Sequence, residues 1–368
     1  MTRFDIVNKK HIIHIMPASF RGGGSLLIQN LVKALPKSCT SEVWVHKIID
    51  SINYAPALLV EINHRSLLDC KNIYTRLKDL DKNETIIHVH GRHGFIIFAI
   101  AKFLNFKTIA HHHGYYYHSL NKSRLNIVQY LIDYFFLWCS SLVIFTSDGE
   151  RDFALKTYSK KINFKVVYNR SFRDEIIFSR RRHSTNKRLV SMATANINQK
   201  GIDLQINLMK QLVTKFPKLK LIHYFNFAKT EELNFIRARI SELNLEKNYI
   251  ILQAHEDVWG KININTDILI SCSRFEGRNL VIQEAFKAGL LVLATDCVGQ
   301  AELLNEQRAF ILPNNNYSNW VSVAQKAITI EASKCDKTDK AKIWIDTFGN
   351  IKDYAYEIEK QYENLINS

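Results

Sequence analysis

The sequence predicts an α/β protein built from two doubly wound, Rossmann-like domains facing each other across a cleft. Three observations carry that prediction: 368 residues, short Val/Ile/Leu runs alternating with longer helical patterns, and one break in the alternation near the middle. A chain of this length exceeds one ordinary core and suits two domains of about 150–200 residues. Strand and helix in strict alternation make parallel sheets wrapped by helices, and such sheets bind ligands outside the carboxyl ends of their strands.

In the first half, "HIIHIM" (11–16) reads as a strand that breaks into "PASFRGGGS", and the helix "LLIQNLVKAL" follows. "TIIHVH" (85–90), "KTIAHHH" (107–113), "LVIFTS" (142–147) and "KVVYN" (165–169) are further strands, with helical patterns at 94–104 and 123–138. From about 170 to 188 the segment "RSFRDEIIFSRRRHSTNKR" is polar and basic without periodicity, and reads as an interdomain linker. The alternation restarts with strand "RLVSMATA" (188–195), helix "IDLQINLMKQLVTKF", strand "KLIHYFN", helix 230–243 and strand "NYIILQA". Next come strand "TDILISCS" (266–273), a helix from about 279 to 288, strand "LLVLATD", helix "GQAELLNE" and a helical tail over 318–366. The domains are therefore expected at 1–180 and 181–344; a C-terminal helix at 345–368 is further expected to pack back on the first.

Composition narrows the function classes. Hydrophobic content of 46% and charged content of 23% are those of a globular protein. Six scattered cysteines with no CxxC pair point to reduced thiols in a cytoplasmic protein, not to a disulfide scaffold or zinc site. The start lacks a signal peptide's apolar core, and no apolar run reaches the roughly 20 residues that span a bilayer. A formal net charge of +15 implies a polyanionic partner: nucleic acid, anionic lipid or phosphorylated ligands. The aromatic segment "NIVQYLIDYFFLWC" reads as a buried helix beneath the next strand, with membrane contact as the competing reading.

Four stretches carry chemistry. "RGGGS" (21–25) puts Gly22, Gly23 and Gly24 between a strand and a helix, where backbone amides approach a ligand closely; the competing reading is a tight turn. It is not GxGxxG, so a dinucleotide fold is poorly supported. In "ATANINQKGIDL" (193–204), Lys200 stands before a helix as a point charge for a diphosphate or as an exposed helix-start lysine. His88, His90, His93, His111, His112, His113 and His118 invite a zinc reading, but they lack an HExxH helix and CxxC support. Lining a polar cleft, with the others as packing residues, competes with it.

In "SRFEGRNLVIQEAFKAG" (273–289), Glu276 and Glu284 flank a helix start at Gly277 and Asn279 whose amides suit phosphate oxygens. Eight residues of helix advance about 12 Å. Glycosidase carboxylates lie about 5–9.5 Å apart, so a hydrolase pair is disfavoured. The span suits one carboxylate at each end of an extended ligand with phosphate between.

These residues add up to a resemblance. "TDILISCSRFEGRNLVIQEAFKAGLLVLATDCVGQAELL" resembles the donor-binding segment of family 4 glycosyltransferases, retaining enzymes of the two-domain GT-B fold. "GGGSLLIQNLVKAL" is similar to that family's amino-terminal glycine loop and first helix. "HVHGRHGFIIFAIAKFLNFKTIAHHHGYYYH" resembles a region of bacterial capsule and lipopolysaccharide transferases. "CSSLVIFTSDGERDF", "VVYNRSF" and "ATANINQKGIDL" match further segments in order.

The resemblance implies that the first domain binds the acceptor and the second the nucleotide-sugar donor. It implies that Glu276 contacts the sugar hydroxyls, Glu284 the ribose and Lys200 the diphosphate. Amides from Gly277 to Leu280 and from Gly22 to Gly24 would join Lys200, and His113 would sit beside the transferring sugar. Departures touch the phosphate contacts: Ala195-Asn196 stands where the family has an arginine, so Arg274 or Arg278 is the substitute cation. "EGRN" places Arg278-Asn279 where a smaller or stiffer pair is usual.

The implied activity is sugar transfer from a nucleotide diphosphate sugar to a saccharide or lipid-linked glycan, in lipopolysaccharide or capsule synthesis. No metal or other cofactor is expected, no nucleic acid, and an anionic membrane surface on the inner face of the plasma membrane is a further expected partner. The alternatives are a nucleotide-sugar epimerase of the same shape and a basic nucleic-acid-binding protein, for which no RNA-binding signature is present.

Overall fold

The structure is a computed structural model. It describes residues 10–16, 23–48, 53–63, 67–114, 124–158, 161–171, 187–226, 228–254, 258–314, 316–330 and 335–368. Gly22, His118 and most of the expected linker lie outside the described residues. The chain divides into two compact units. One comprises described residues of 1–113, 120–172 and 351–368; the other those of 114–119 and 173–350.

The first unit opens with β1 (Lys10–Met16), α1 (Gly23–Ala34), β2 (Cys39–Val45), β3 (Leu58–Glu61) and α2 (Leu67–Lys78). It continues with β4 (Thr85–His90), α3 (Phe95–Phe103), β5 (Lys107–His111), α4 (Arg124–Cys139), β6 (Leu142–Phe145), α5 (Asp148–Thr157) and β7 (Phe164–Val166). Its seven strands run parallel in the order β3-β2-β1-β4-β5-β6-β7. All six residues of β4 are buried, as expected of a central strand covered on both faces. Strands β2 and β3 were not read from the sequence. Glu42 and Ser41 interrupt the apolar run of β2, and β3 is a four-residue edge strand with Leu58 exposed.

The second unit comprises β8 (Arg188–Met192), α6 (Ile197–Lys200), α7 (Ile202–Lys215), β9 (Lys220–Phe225), α8 (Thr230–Glu242) and β10 (Tyr249–Gln253). Then follow β11 (Asp267–Ser271), α9 (Leu280–Lys287), β12 (Leu291–Thr295), β13 (Phe310–Leu312), α10 (Trp320–Thr329) and α11 (Lys337–Asp346). Its six strands are parallel in the order β10-β9-β8-β11-β12-β13. Core clusters cover both faces of this sheet, one around Ile206, Met209 and Ile268, the other around Val190, Phe286 and Val292.

The last helix, α12 (Ile351–Ile366), belongs to the first unit. Lys10 Nζ holds it through Glu359 at 3.0 Å and Glu363 at 2.7 Å, and its own Tyr362 is fully buried. Over the expected helical tail the described residues form three helices, α10, α11 and α12.

Two expectations change. "GQAELLNE" is a single helical turn at Ala301–Leu303. Gln300 is drawn inward to the Thr295 carbonyl, and the Asn305 side chain accepts from the Gln307 amide, so side chains compete for the backbone groups a helix needs. Of the aromatic segment, residues 127–139 are buried on one face only: Asp133, Phe136 and Leu137 are covered, whereas Leu131 and Trp138 are exposed. Among the described residues, no helix is long and apolar enough to cross a membrane.

Candidate active site

In the second unit the chain reverses direction across its sheet between β8 and β11, and a crevice opens where two such strands part at their carboxyl ends. A small cleft lies there, lined by Ser191, Ala193, Lys200, Ser273, Glu276 and Asn279 among others. The loop after β8 enters the short helix α6 with Asn196 as its N-cap, the side chain accepting from the Gln199 amide at 3.0 Å. Gly201 then turns the chain at φ 59°, and a Cβ there would lie 2.0 Å from the Cys272 carbonyl oxygen. Only glycine lets the α6–α7 junction press on the end of β11. That contact brings Lys200 to the cleft.

Lys200 Nζ donates to Glu276 Oε1 at 2.7 Å, and Ser273 Oγ donates to the same oxygen at 2.6 Å. Glu276 is 7% exposed, so its charge is held by a cation and a hydroxyl inside the wall of the cleft. Its amide donates to the Val298 carbonyl at 3.1 Å. The turn that follows β12 reaches Glu276 because Gly299 sits at φ 77°; a Cβ there would come within 2.1 Å of the Glu276 carbonyl oxygen. Burial and then the charge of Glu276 push the nearby Cys297 thiol upward, so it stays protonated.

Asn279 is the N-cap of α9, accepting from Val281 at 3.0 Å and Ile282 at 3.3 Å. Its amide nitrogen donates to Gln300 Oε1 at 2.9 Å, and Ser271 Oγ donates to the same atom at 3.1 Å. Gln300 in turn donates to the Thr295 carbonyl at 2.6 Å, so the start of α9 is tied to the ends of β11 and β12. The helix begins only at Leu280, with Asn279 extended, so the 12 Å rise expected between Glu276 and Glu284 does not apply. Glu284 is buried and accepts from Trp259 Nε1 at 2.9 Å.

The two arginines are engaged within the unit. Arg274 makes a two-pronged pair with Asp203 at 2.9 and 2.6 Å and donates to the Ile197 carbonyl, bracing α6 against α7. Arg278, 4% exposed, pairs with Glu302 at 3.0 Å and stacks over Phe348 at 4.4 Å. Ser273, Asp203, Gln300 and Glu302 were not read from the sequence. The repeated serines of "SCS" at a strand end were the one visible signal.

In the first unit, Gly23 and Gly24 open α1, both exposed, and a Cβ on Gly24 would meet nothing within 4 Å. Packing therefore does not demand glycine at 24. The histidines converge at the equivalent switch point between β1 and β4. The register sets His14 opposite His88 and His90 opposite His111. Because strand side chains alternate, His88 and His90 share a face of β4.

His14 Nδ1 meets His90 Nε2 at 3.1 Å, and His90 Nδ1 meets His113 Nε2 at 3.0 Å. His88 Nε2 meets His111 Nδ1 at 3.2 Å, and its Nδ1 meets the Tyr362 hydroxyl at 2.7 Å. Burial pushes His14 down to about 3 and His112 and His113 to about 4, and holds His88, His90 and His111 well below their ordinary value. Neutral His90 has one N–H and one acceptor, so it donates to one of His14 and His113 and accepts from the other.

Two triplets, His14/His88/His90 and His90/His111/His113, bring nitrogens within 4.8 Å of one another. Those nitrogens are largely taken by the bonds between rings, and no carboxylate belongs to either triplet to balance a cation.

Residues 172–344 match the family model described as glycosyl transferases group 1. No curated protein sequence matches the chain significantly. Among solved structures, sucrose-phosphate synthase from Thermosynechococcus elongatus is similar at TM-score 0.77 and 15% identity, over 97% of this chain and 99% of that one. Anabaena HepE in complex with UDP and glucose matches at 0.75 and 15%, over 96% and 99%. A glycosyltransferase from Rickettsia africae matches at 0.69 and 15%, over 98% and 99%. At this identity the likeness is one of fold, and the fold is GT-B. Residues 172–344 are thus similar to the glycosyl transferases group 1 family, within a chain of GT-B fold.

Proposed function

We propose that the protein is a retaining glycosyltransferase that moves a sugar from a nucleotide diphosphate sugar to a saccharide or lipid-linked glycan. The product belongs to a bacterial surface polysaccharide, lipopolysaccharide or capsule, and the enzyme works at the cytoplasmic face of the membrane. The observation that carries the reading is the Lys200–Glu276 pair at the switch point of the sheet in the group 1 domain. HepE, of similar fold, is described with UDP and glucose, which supports a nucleotide sugar as donor.

In this reading the second unit holds the donor. Lys200 has three N–H donors; one is spent on Glu276, and the others suit diphosphate oxygens. Asn279 already occupies the Val281 and Ile282 amides, so the phosphate contacts from α9 fall to Gly277–Leu280. Glu276 accepts from sugar hydroxyls, and Glu284 takes the ribose. Arg274 acts through Asp203 to brace the lysine's helix, and Arg278 supports the turn from beneath.

The first unit binds the acceptor. Gly23 and Gly24 leave room for close approach, and His113, neutral and bonded to His90, is the hydrogen-bonding group proposed for the sugar.

The acceptor hydroxyl attacks the anomeric carbon on the face the diphosphate leaves. The new C–O bond forms as the bond to the diphosphate oxygen breaks, and the hydroxyl proton passes to that oxygen. Lys200 and the helix start stabilise the charge that develops, so the step calls for no metal ion.

A thermal-shift panel of nucleotides and nucleotide sugars tests donor binding. One base should stabilise the wild type, by about 2.7 kcal/mol at 100 times Kd, and Lys200→Ala should lose that gain. A folded wild type that no nucleotide stabilises would overturn the reading.

A further inference from the structure

The outer face of α4 is apolar and open over most of its length. Ile127, Val128, Leu131, Tyr134 and Trp138 are 61, 56, 57, 39 and 69% exposed. At about 100° per residue they fall within a sector of about 120°, and the stripe runs about 16 Å. Single exposed apolar side chains are ordinary, but five in one stripe mark an interaction face. On the neighbouring helix α3, Phe103 is 77% exposed.

The charge around the stripe says what covers it. Helix α3 contains no acidic residue, and the one on α4, Asp133, is fully buried against Arg92 and Tyr158. The two helices therefore turn no carboxylate outward. Lys102 on α3 lies within electrostatic reach of Cys139, next to Trp138 at the end of the stripe. A second copy of a chain with net charge +15 would set like charge against like. An anionic bilayer surface meets both features: its acyl boundary takes the aliphatic side chains, and its headgroups take tyrosine, tryptophan and lysine.

We propose that the α4 face seats the protein on an anionic membrane, with Ile127, Leu131 and Trp138 entering the headgroup–acyl boundary and Lys102 meeting the lipid headgroups. The inference deepens the lipid-linked acceptor reading and rests on it for its purpose. Its test uses neither donor nor acceptor, so the two can fail separately.

The experiment is flotation of the full chain with phosphatidylcholine vesicles, with and without phosphatidylglycerol, at low and high salt. The wild type should float with the anionic vesicles at low salt, detach as salt screens the headgroups, and stay behind with phosphatidylcholine alone. The double variant Leu131→Glu/Trp138→Glu should lose about tenfold or more in partitioning. Phe235→Glu, at an exposed apolar position on α8, should float like the wild type. Both replaced α4 side chains are exposed, so an unchanged melting temperature checks folding, and Trp138→Ser alone should shift partitioning the same way. Failure of the wild type to float, equal flotation of the double variant, or indifference to anionic lipid would overturn the proposal. A wild-type dimer that the double substitution dissociates, with vesicle binding unchanged, would assign the face to a second copy.

Discussion

His14 and His112 are buried, neutral imidazoles, and their burial makes the first unit sensitive to acid. In the unfolded chain a histidine takes up its proton near pH 6.5, whereas burial holds these two at about 3 and 4. Below 6.5 the unfolded state binds protons that the folded state refuses, so stability falls with pH until the folded values are reached. For these two groups the loss is about 2 kcal/mol between pH 6.5 and 5.5. Urea melts across that range, read by a probe of the first unit, should show at least this loss; stability that stays level or rises on acidification would contradict it. Side chains that carry their own chemical signature, Glu276 and Lys200, could be picked out of the sequence. Asp203, Glu302 and Tyr362 could not, because each acts through a partner that only the fold brings near, whereas Ser273 lies three residues from its partner Glu276 and lacked any signal beyond the paired serines. His14, 74 or more residues from its partners, is legible only once the register of β1 on β4 is known.

At the scale of elements, the cleft of the second unit depends on two glycine-permitted contacts and one helix cap. Gly201 seats α6 against β11, Gly299 seats the turn after β12 against Glu276, and Asn279 fixes where α9 starts. Gly299→Ala combines a positive φ with a Cβ 2.1 and 2.2 Å from two carbonyl oxygens, so the backbone around Glu276 must move. We expect a loss of more than about 1 kcal/mol in stability, with a larger proportional loss of nucleotide binding. Chemical denaturation and a nucleotide titration on the same preparation check both; unchanged values in both would show that the turn does not hold the site. Long apolar strands such as β4 and β12 were plain from composition. Short or mixed ones, β2, β3 and β13, were not, because pairing stabilises them more than their own sequence does. The same limit explains "GQAELLNE", whose helical pattern gives way to side-chain bonds from Gln300 and Asn305.

At the scale of the whole molecule, both units place their first and fourth strands side by side, and both gather their polar side chains there. In the first unit these are His14, His88 and His90; in the second they are Ser191, Ser271 and Ser273. The two-domain plan was legible because alternation and length are properties of the entire chain. The choice of sugar and acceptor was not, because a few side-chain contacts decide it and no pattern in the sequence fixes them. The proposed activity is sugar transfer centred on Glu276 and Lys200. Its most direct measurement incubates the stabilising nucleotide sugar with candidate glycan acceptors and follows product by mass, with its anomeric configuration by NMR. We expect acceptor-dependent product that keeps the donor's configuration, and a fall of about 10²–10³ in turnover for a folded Glu276→Ala variant. Near-normal turnover of that variant, or conversion of the donor sugar with no acceptor present, would contradict it.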